Sequence, residues 1–144
     1  MATLDLQGFD DLNEAFNRIA NIPPAVTSKA LRAMGTVAAK EIKNSGESMH
    51  VRDPESDVHI LDKIQLNEPK ITADGGVAHI TFKGSRRRGK TNTRNAEIAY
   101  INEYGKKGQT ARPFVGTAMS KKEEQIAEPG IEIIGDWIEN EFEK

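Results

Sequence analysis

Between Val26 and Ile42 the apolar positions recur at helical spacing. Val26, Ala30, Met34, Ala38 and Ile42 form one stripe, widened by Leu31, Ala33 and Val37. Lys29, Arg32, Thr36, Lys40 and Lys43 fall on the other side. This pattern predicts a long amphipathic helix, opened by Pro23-Pro24 and ended near Gly46 as a C-terminal glycine. Its small residues, Ala30, Ala33, Gly35, Ala38 and Ala39, let another element approach closely. Upstream, Leu4 and Leu6 alternate as in a short strand. Leu12, Ala15, Phe16 and Ile19 share one face of a first helix running to about Ala20, capped by Asp11-Leu-Asn-Glu14. Residues Glu47 to Asp57 are polar, contain Pro54 and read as a loop.

Downstream the period shortens to two. Ile64 and Leu66 alternate, as do Ala78, Ile80 and Phe82, with Asp74-Gly75-Gly76 as a turn between them. This is a hairpin pattern, and Pro69 makes its first arm irregular or an edge. Lys83 to Asn95 is a basic, glycine-containing loop. Ala96 to Tyr104 is a short helix or a bent strand; Ile98, Ile101 and Tyr104 have helical spacing. Pro113 opens a helix with Phe114, Ala118 and Met119 on one face, which Pro129-Gly130 interrupts. Ile131, Ile134, Trp137, Ile138 and Phe142 line a last amphipathic helix. The expected class is α+β. It is a single domain over residues 1–144, with a small antiparallel sheet, a long Ala-rich helix and C-terminal helices packed on one face. A flexible basic loop is expected at about residues 84–95.

Composition narrows the function classes. With 29% charged residues and a formal net charge of -2 the chain is not globally basic, so nucleic-acid contact must come from a local patch. The absence of cysteine excludes disulfides and Cys-ligated zinc. Met1 to Leu6 has neither the basic nor the apolar region of a signal peptide, and no apolar run reaches bilayer length, so no membrane partner is expected. Charge is unevenly placed. Residues 83–112 hold nine Lys and Arg against two acids, and residues 120–144 hold eight acids against three lysines. A basic middle and an acidic tail suit contact between copies, although charge runs more often simply face water.

Candidate chemistry is sparse. Gly84-Ser-Arg-Arg-Arg-Gly89-Lys90-Thr91 satisfies the nucleotide-binding pattern G-x-x-x-x-G-K-[ST]. That motif works only where a helix follows at once and aims its amides at phosphate. Here the polar Asn92-Thr-Arg-Asn95 follows, with no apolar face to dock such a helix. The same segment offers Arg86, Arg87, Arg88, Lys90 and Arg94 for non-specific contact with a DNA backbone, with no interleaved aromatic to stack bases. His50, His59 and His79 are scattered without metal-ligand spacing, and no nucleophile motif occurs. No catalytic, cofactor-binding or metal-binding residue is therefore assigned, and no enzyme activity or cofactor is expected. Glu103 is the acid that stands out. It has no neighbouring carboxylate or histidine, and reads as a structural acceptor for backbone amides of the following glycine loop or as a partner of Arg112. Tyr100, Tyr104 and Phe114 read as core and corner packing around it.

Tyr100, Glu103-Tyr104-Gly105 and Ala111-Arg112-Pro113-Phe114, followed by Ala118, resemble the signature of the gene-product-ten-like tail-completion family of tailed phages and prophages. There an aromatic–acid–aromatic–glycine element precedes a loop and an arginine–proline–phenylalanine helix start. The preceding layout also fits, with a short N-terminal segment, an Ala-rich helix, a loop and a β-region. Pro54 to Leu61 departs from the family's Pro followed by Thr-Gly-x-Leu, and the Arg-rich stretch between Phe82 and Tyr100 has no counterpart in the pattern. The resemblance implies a non-enzymatic virion component, assembled in the host cytoplasm and located at the neck or head-proximal tail end. It implies copies of itself in a ring that completes the tail or joins head to tail, with tail-tube or head-connector proteins as partners. In such a ring the Arg-rich segment would face a DNA channel. The other function class compatible with the residues is a small nucleic-acid-binding module acting through residues 86–94.

Overall fold

The structure, a computed structural model, describes residues 14, 17, 20–51, 59–73, 75–88 and 90–143, with the backbone alone for Arg88. Glu14, Asn17 and Ala20 are helical. The rest of the expected first helix and the Leu4–Leu6 strand lie outside the described residues.

The chain is α+β, and the expected long helix dominates it. Helix α1 spans Pro24–Ser48 and buries Ala30, Gly35, Ala38, Ile42 and Gly46. Gly46 does not end it. Gly46 lies inside the helix, where Leu61 and Phe114 close over its bare backbone; a Cβ there would stand 3.2 Å from Phe114 Cδ2 and closer still to Leu61. Tertiary packing, not helix termination, explains this glycine. The helix stops at His50, whose φ of 57° is left-handed. The His50 amide donates to Glu47 O at 3.1 Å and the Val51 amide to Gly46 O at 2.9 Å. These are the two bonds of a Schellman motif, and the Val51 that follows is buried in the core.

A short 3-10 turn, Ile60–Lys63, buries Ile60 and Leu61 and leads into the β-region. The expected single sheet is instead three two-stranded antiparallel ladders. Strand β1 (Ile64–Leu66) pairs with β4 (Ile80–Phe82), and β2 (Lys70–Thr72) with β3 (Gly75–Val77). The two pairs are successive stretches of one hairpin, linked where the Asn67 amide donates to His79 O at 2.8 Å. Pro69, which has no amide hydrogen, stands in the interruption. The tip lies between Thr72 and Gly75, so Gly75 and Gly76 belong to the ladder and not to the turn. Strand β5 (Ser85–Arg88) pairs with β6 (Thr91–Arg94). The basic stretch expected as a loop at 84–95 thus carries a short hairpin, held by pairing between its own backbone groups.

Three helices complete the fold: α2 (Asn95–Tyr104), α3 (Phe114–Lys121) and α4 (Glu123–Glu143). The helix reading of 96–104, and not the bent strand, is the one observed. Pro129-Gly130 was expected to break the C-terminal region, yet α4 runs through it. Pro129 removes one amide bond, but a Cβ on Gly130 would meet Met34 Sδ at 2.5 Å, so α4 crosses α1 closely there. The break falls instead at Lys122, which ends α3 with its amide on Ala118 O at 3.0 Å. Ile131 and Phe142, expected on the inner face, are exposed, as is Met119. Ile126 and Gly130 are buried, and Ile133, Ile134, Trp137 and Ile138 are partly so.

The core gathers Ile42, Val51, Ile60, Leu61, Ile98, Ala99, Phe114 and Ala118. Phe114 is completely buried and meets Phe82 edge-on, ring centroids 5.8 Å apart. The core thus draws on all of α1, the 3-10 turn, α2 and α3. Among the described residues no helix is long and apolar enough to cross a membrane.

Candidate functional site

The signature residues meet at a corner made by α2 and α3. Asn95, buried at the start of α2, donates from Nδ2 to Lys83 O at 2.8 Å, and its amide donates to Gly84 O at 2.9 Å. These bonds fix the base of the β5–β6 hairpin to the helix. At the other end Gly105 is the terminating glycine, with φ 78° and its amide on Ile101 O at 2.7 Å. A side chain there would be strained and would also press within 2.9 Å of Ala111 N and Gln109 O. Lys106 and Gln109 then exchange backbone bonds of 3.1 and 2.9 Å around Lys107-Gly108, and Gly108 supplies a φ of 84°.

Arg112 closes the corner on α1. Its Nη1 donates to His50 O at 2.7 Å, a carbonyl of the Schellman turn, and its own amide donates to Asn102 O at 2.6 Å. Pro113 has φ -76° and ψ 67°, the shape of an inverse γ-turn, with the Phe114 amide on Arg112 O at 2.7 Å. Pro113 therefore stands just before α3 and aims Phe114 into the core. Glu103 reaches across the corner. Its Oε2 accepts the Val115 amide at 2.8 Å and its Oε1 the Gly116 amide at 2.8 Å. These are first-turn amides of α3 with no partner inside the helix, and a carboxylate is favoured at that positive end. Glu103 is thus a structural acceptor, as its isolation in sequence suggests, but neither the glycine loop nor Arg112 is its partner. With both oxygens on amides, Glu103 is not positioned as a general acid.

Tyr100 and Tyr104 are not in the core. They are 65% and 68% exposed, with ring centroids 4.8 Å apart, and form a ridge on the outer face of α2. Their one-turn spacing is compatible with either face, and α2 buries Asn95, Ile98, Ala99 and Asn102 instead. The two asparagines were missed in the sequence because buried amides have no apolar periodicity.

The hairpin sets the basic residues in register: Ser85 opposite Arg94, Arg86 opposite Thr93, Arg87 opposite Asn92 and Arg88 opposite Thr91. Arg87, Lys90 and Arg94 are exposed and Arg86 is half-buried. Arg94 Nε lies 3.5 Å from Glu97 Oε1. Thr91, which would hold magnesium in a nucleotide loop, is in a strand, and the next helix begins only at Asn95. The strand-to-helix turn that presents amides to phosphate is replaced here by a second strand. Among the described residues no cluster of three or more His, Asp or Glu side chains is arranged to hold a metal ion.

Comparison with family models, with curated proteins and with solved structures gives no match for this chain.

Proposed function

We propose that this protein is a structural, non-enzymatic component of a tailed-phage or prophage particle, forming a ring at the neck or head-proximal tail end in tail completion or head–tail joining. One observation carries the reading beyond the resemblance itself. The residues that bear the resemblance act together as a brace: Glu103 caps α3, Arg112 ties to the end of α1, and Pro113 directs Phe114 into the core. Such a brace joins three helices and keeps their outer faces in fixed relation, which suits a subunit whose work is to present surfaces to neighbours. The polar groups of the corner are spent on backbone partners and not held ready for a substrate.

The test is inactivation of the gene in the strain that makes the particles. Unjoined heads and tails, or tails of irregular length, are expected in electron micrographs, with joined particles restored by the wild-type gene. Normal particles in its absence would refute the proposal.

A second reading, nucleic-acid contact, draws on the paired β5–β6 hairpin, which carries exposed Arg87, Lys90 and Arg94. It predicts salt-dependent, sequence-independent binding of DNA that weakens when Lys90 and Arg94 are replaced by alanine. Retention unaffected by those replacements would dismiss it.

A further inference from the structure

We infer that the outer face of α2 docks on the outer face of α4 of a second copy, giving a head-to-tail contact between subunits. This rests on the ring reading above and names the surfaces it would use.

The α2 face is an aromatic ridge with cations at both ends and one acid, Glu97, which pairs with Arg94 beside its first turn. Tyr100 and Tyr104 are each about two-thirds exposed and lean on one another. Lys90 and Arg94 precede the helix, and Lys106 and Lys107, both exposed, stand in the turn that follows Gly105. Two large aromatics left in water side by side, on a chain with only 6% aromatic residues, mark a contact surface.

The α4 face has the opposite character. Ile131 is 69% exposed. One turn further, a Cβ on Gly135 would find no atom within 4 Å. The pair makes an apolar step with a notch beside it, and exposed Glu124, Glu128, Glu132 and Glu139 surround it. Tyr100 and Tyr104 are one helical turn apart, as are Ile131 and Gly135, so two aromatic knobs match a step and a notch about 6 Å apart along the partner helix. Lysines at the ends of the ridge then meet glutamates around the notch. Because the two faces differ and lie on separate elements, each copy carries one of each, and the contact is heterologous; repeated, it closes a ring or extends a filament. A nucleic acid would suit the cations and tyrosines but leaves the acidic apolar face of α4 without a role.

The chain has no cysteine, so Tyr104→Cys and Ile131→Cys each install one reporter thiol on an exposed position. Disulfide trapping also captures a weak contact. Under mild oxidation at low salt, a mixture of the two full-length variants should yield mainly the linked heterodimer. The yield should fall several-fold in about 0.5 M NaCl, where charges are screened within a few ångströms. A chain carrying both substitutions should give a ladder of linked copies. A control thiol at exposed Thr36 should give neither product. Three results overturn the inference: heterodimer no more abundant than with the Thr36→Cys control, Tyr104→Cys linking only to itself, or no heterodimer together with oligothymidylate binding that the Tyr100→Ala/Tyr104→Ala pair abolishes. Should trapping fail while deletion of the gene still leaves heads and tails unjoined, this interface falls and the neck reading stands.

Discussion

Replacing Phe114 with alanine removes the one aromatic side chain that is completely enclosed among the described residues. Its ring meets Phe82 edge-on at 5.8 Å and lies against the bare backbone of Gly46 in the middle of the core. Truncating a fully buried phenylalanine costs about 3–5 kcal/mol through lost transfer free energy and the cavity left behind. Collapse into that cavity is resisted here, because one wall is the backbone of the 25-residue helix α1, which also packs on α4. The upper part of the range therefore applies. The unfolding entropy of about 2.1 cal/mol/K per residue, over 144 residues, gives roughly 0.3 kcal/mol/K, so a loss of about 4–5 kcal/mol corresponds to a Tm lowered by roughly 13–17 °C. A total stability of about 5–15 kcal/mol would be cut by roughly a quarter or more. Urea and thermal unfolding followed by circular dichroism, with Trp137 fluorescence as a second probe, measure the change. A Tm within about 2 °C of wild type would refute the reasoning, since a burial loss of this size must register, and would move Phe114 to a surface between subunits.

Other substitutions separate the parts of the corner. Glu103→Ala should cost about 1.5–3 kcal/mol in urea unfolding, because two α3 amides lose a charged acceptor, and Glu103→Gln should cost less because one carbonyl acceptor remains. Gly46→Ala should destabilise by about 1–3 kcal/mol despite alanine's higher helix propensity, since the methyl group enters the space of Leu61 and Phe114. Gly135→Ala should do the reverse, raising stability by up to about 1 kcal/mol, because its Cβ meets nothing. Lys90→Ala should leave the Tm unchanged with or without Mg-ATP, and the wild type should show no ATP-dependent shift; a saturable shift lost in that variant would restore the nucleotide-loop reading.

Much of the fold was legible because burial imposes periodicity. The stripe from Val26 to Ile42 and the alternation of Ile64, Leu66, Ile80 and Phe82 identified α1 and the first hairpin. The errors lie where a residue type has two physical uses. Gly46 and Gly130 read as helix terminators, but both are points of close approach whose partners, Leu61 with Phe114 and Met34, are remote in sequence. The β5–β6 hairpin has no apolar alternation, because its order comes from backbone pairing and from Asn95 at its base. At the corner, the isolation of Glu103 pointed to backbone acceptance, yet which amides it takes depends on the fold of the eleven residues between it and Val115. Tyr100 and Tyr104 read as core because aromatics usually are; their exposure follows from α2 turning Ile98 and Asn102 inward.

Location in the particle tests the central claim most directly. Purified particles carrying an affinity-tagged copy of the chain, labelled with gold and viewed by electron microscopy, should show label at the junction of head and tail. Averaged images should there resolve a closed ring of identical subunits. Particles without label, or label spread over the capsid surface or along the tail, would contradict the account.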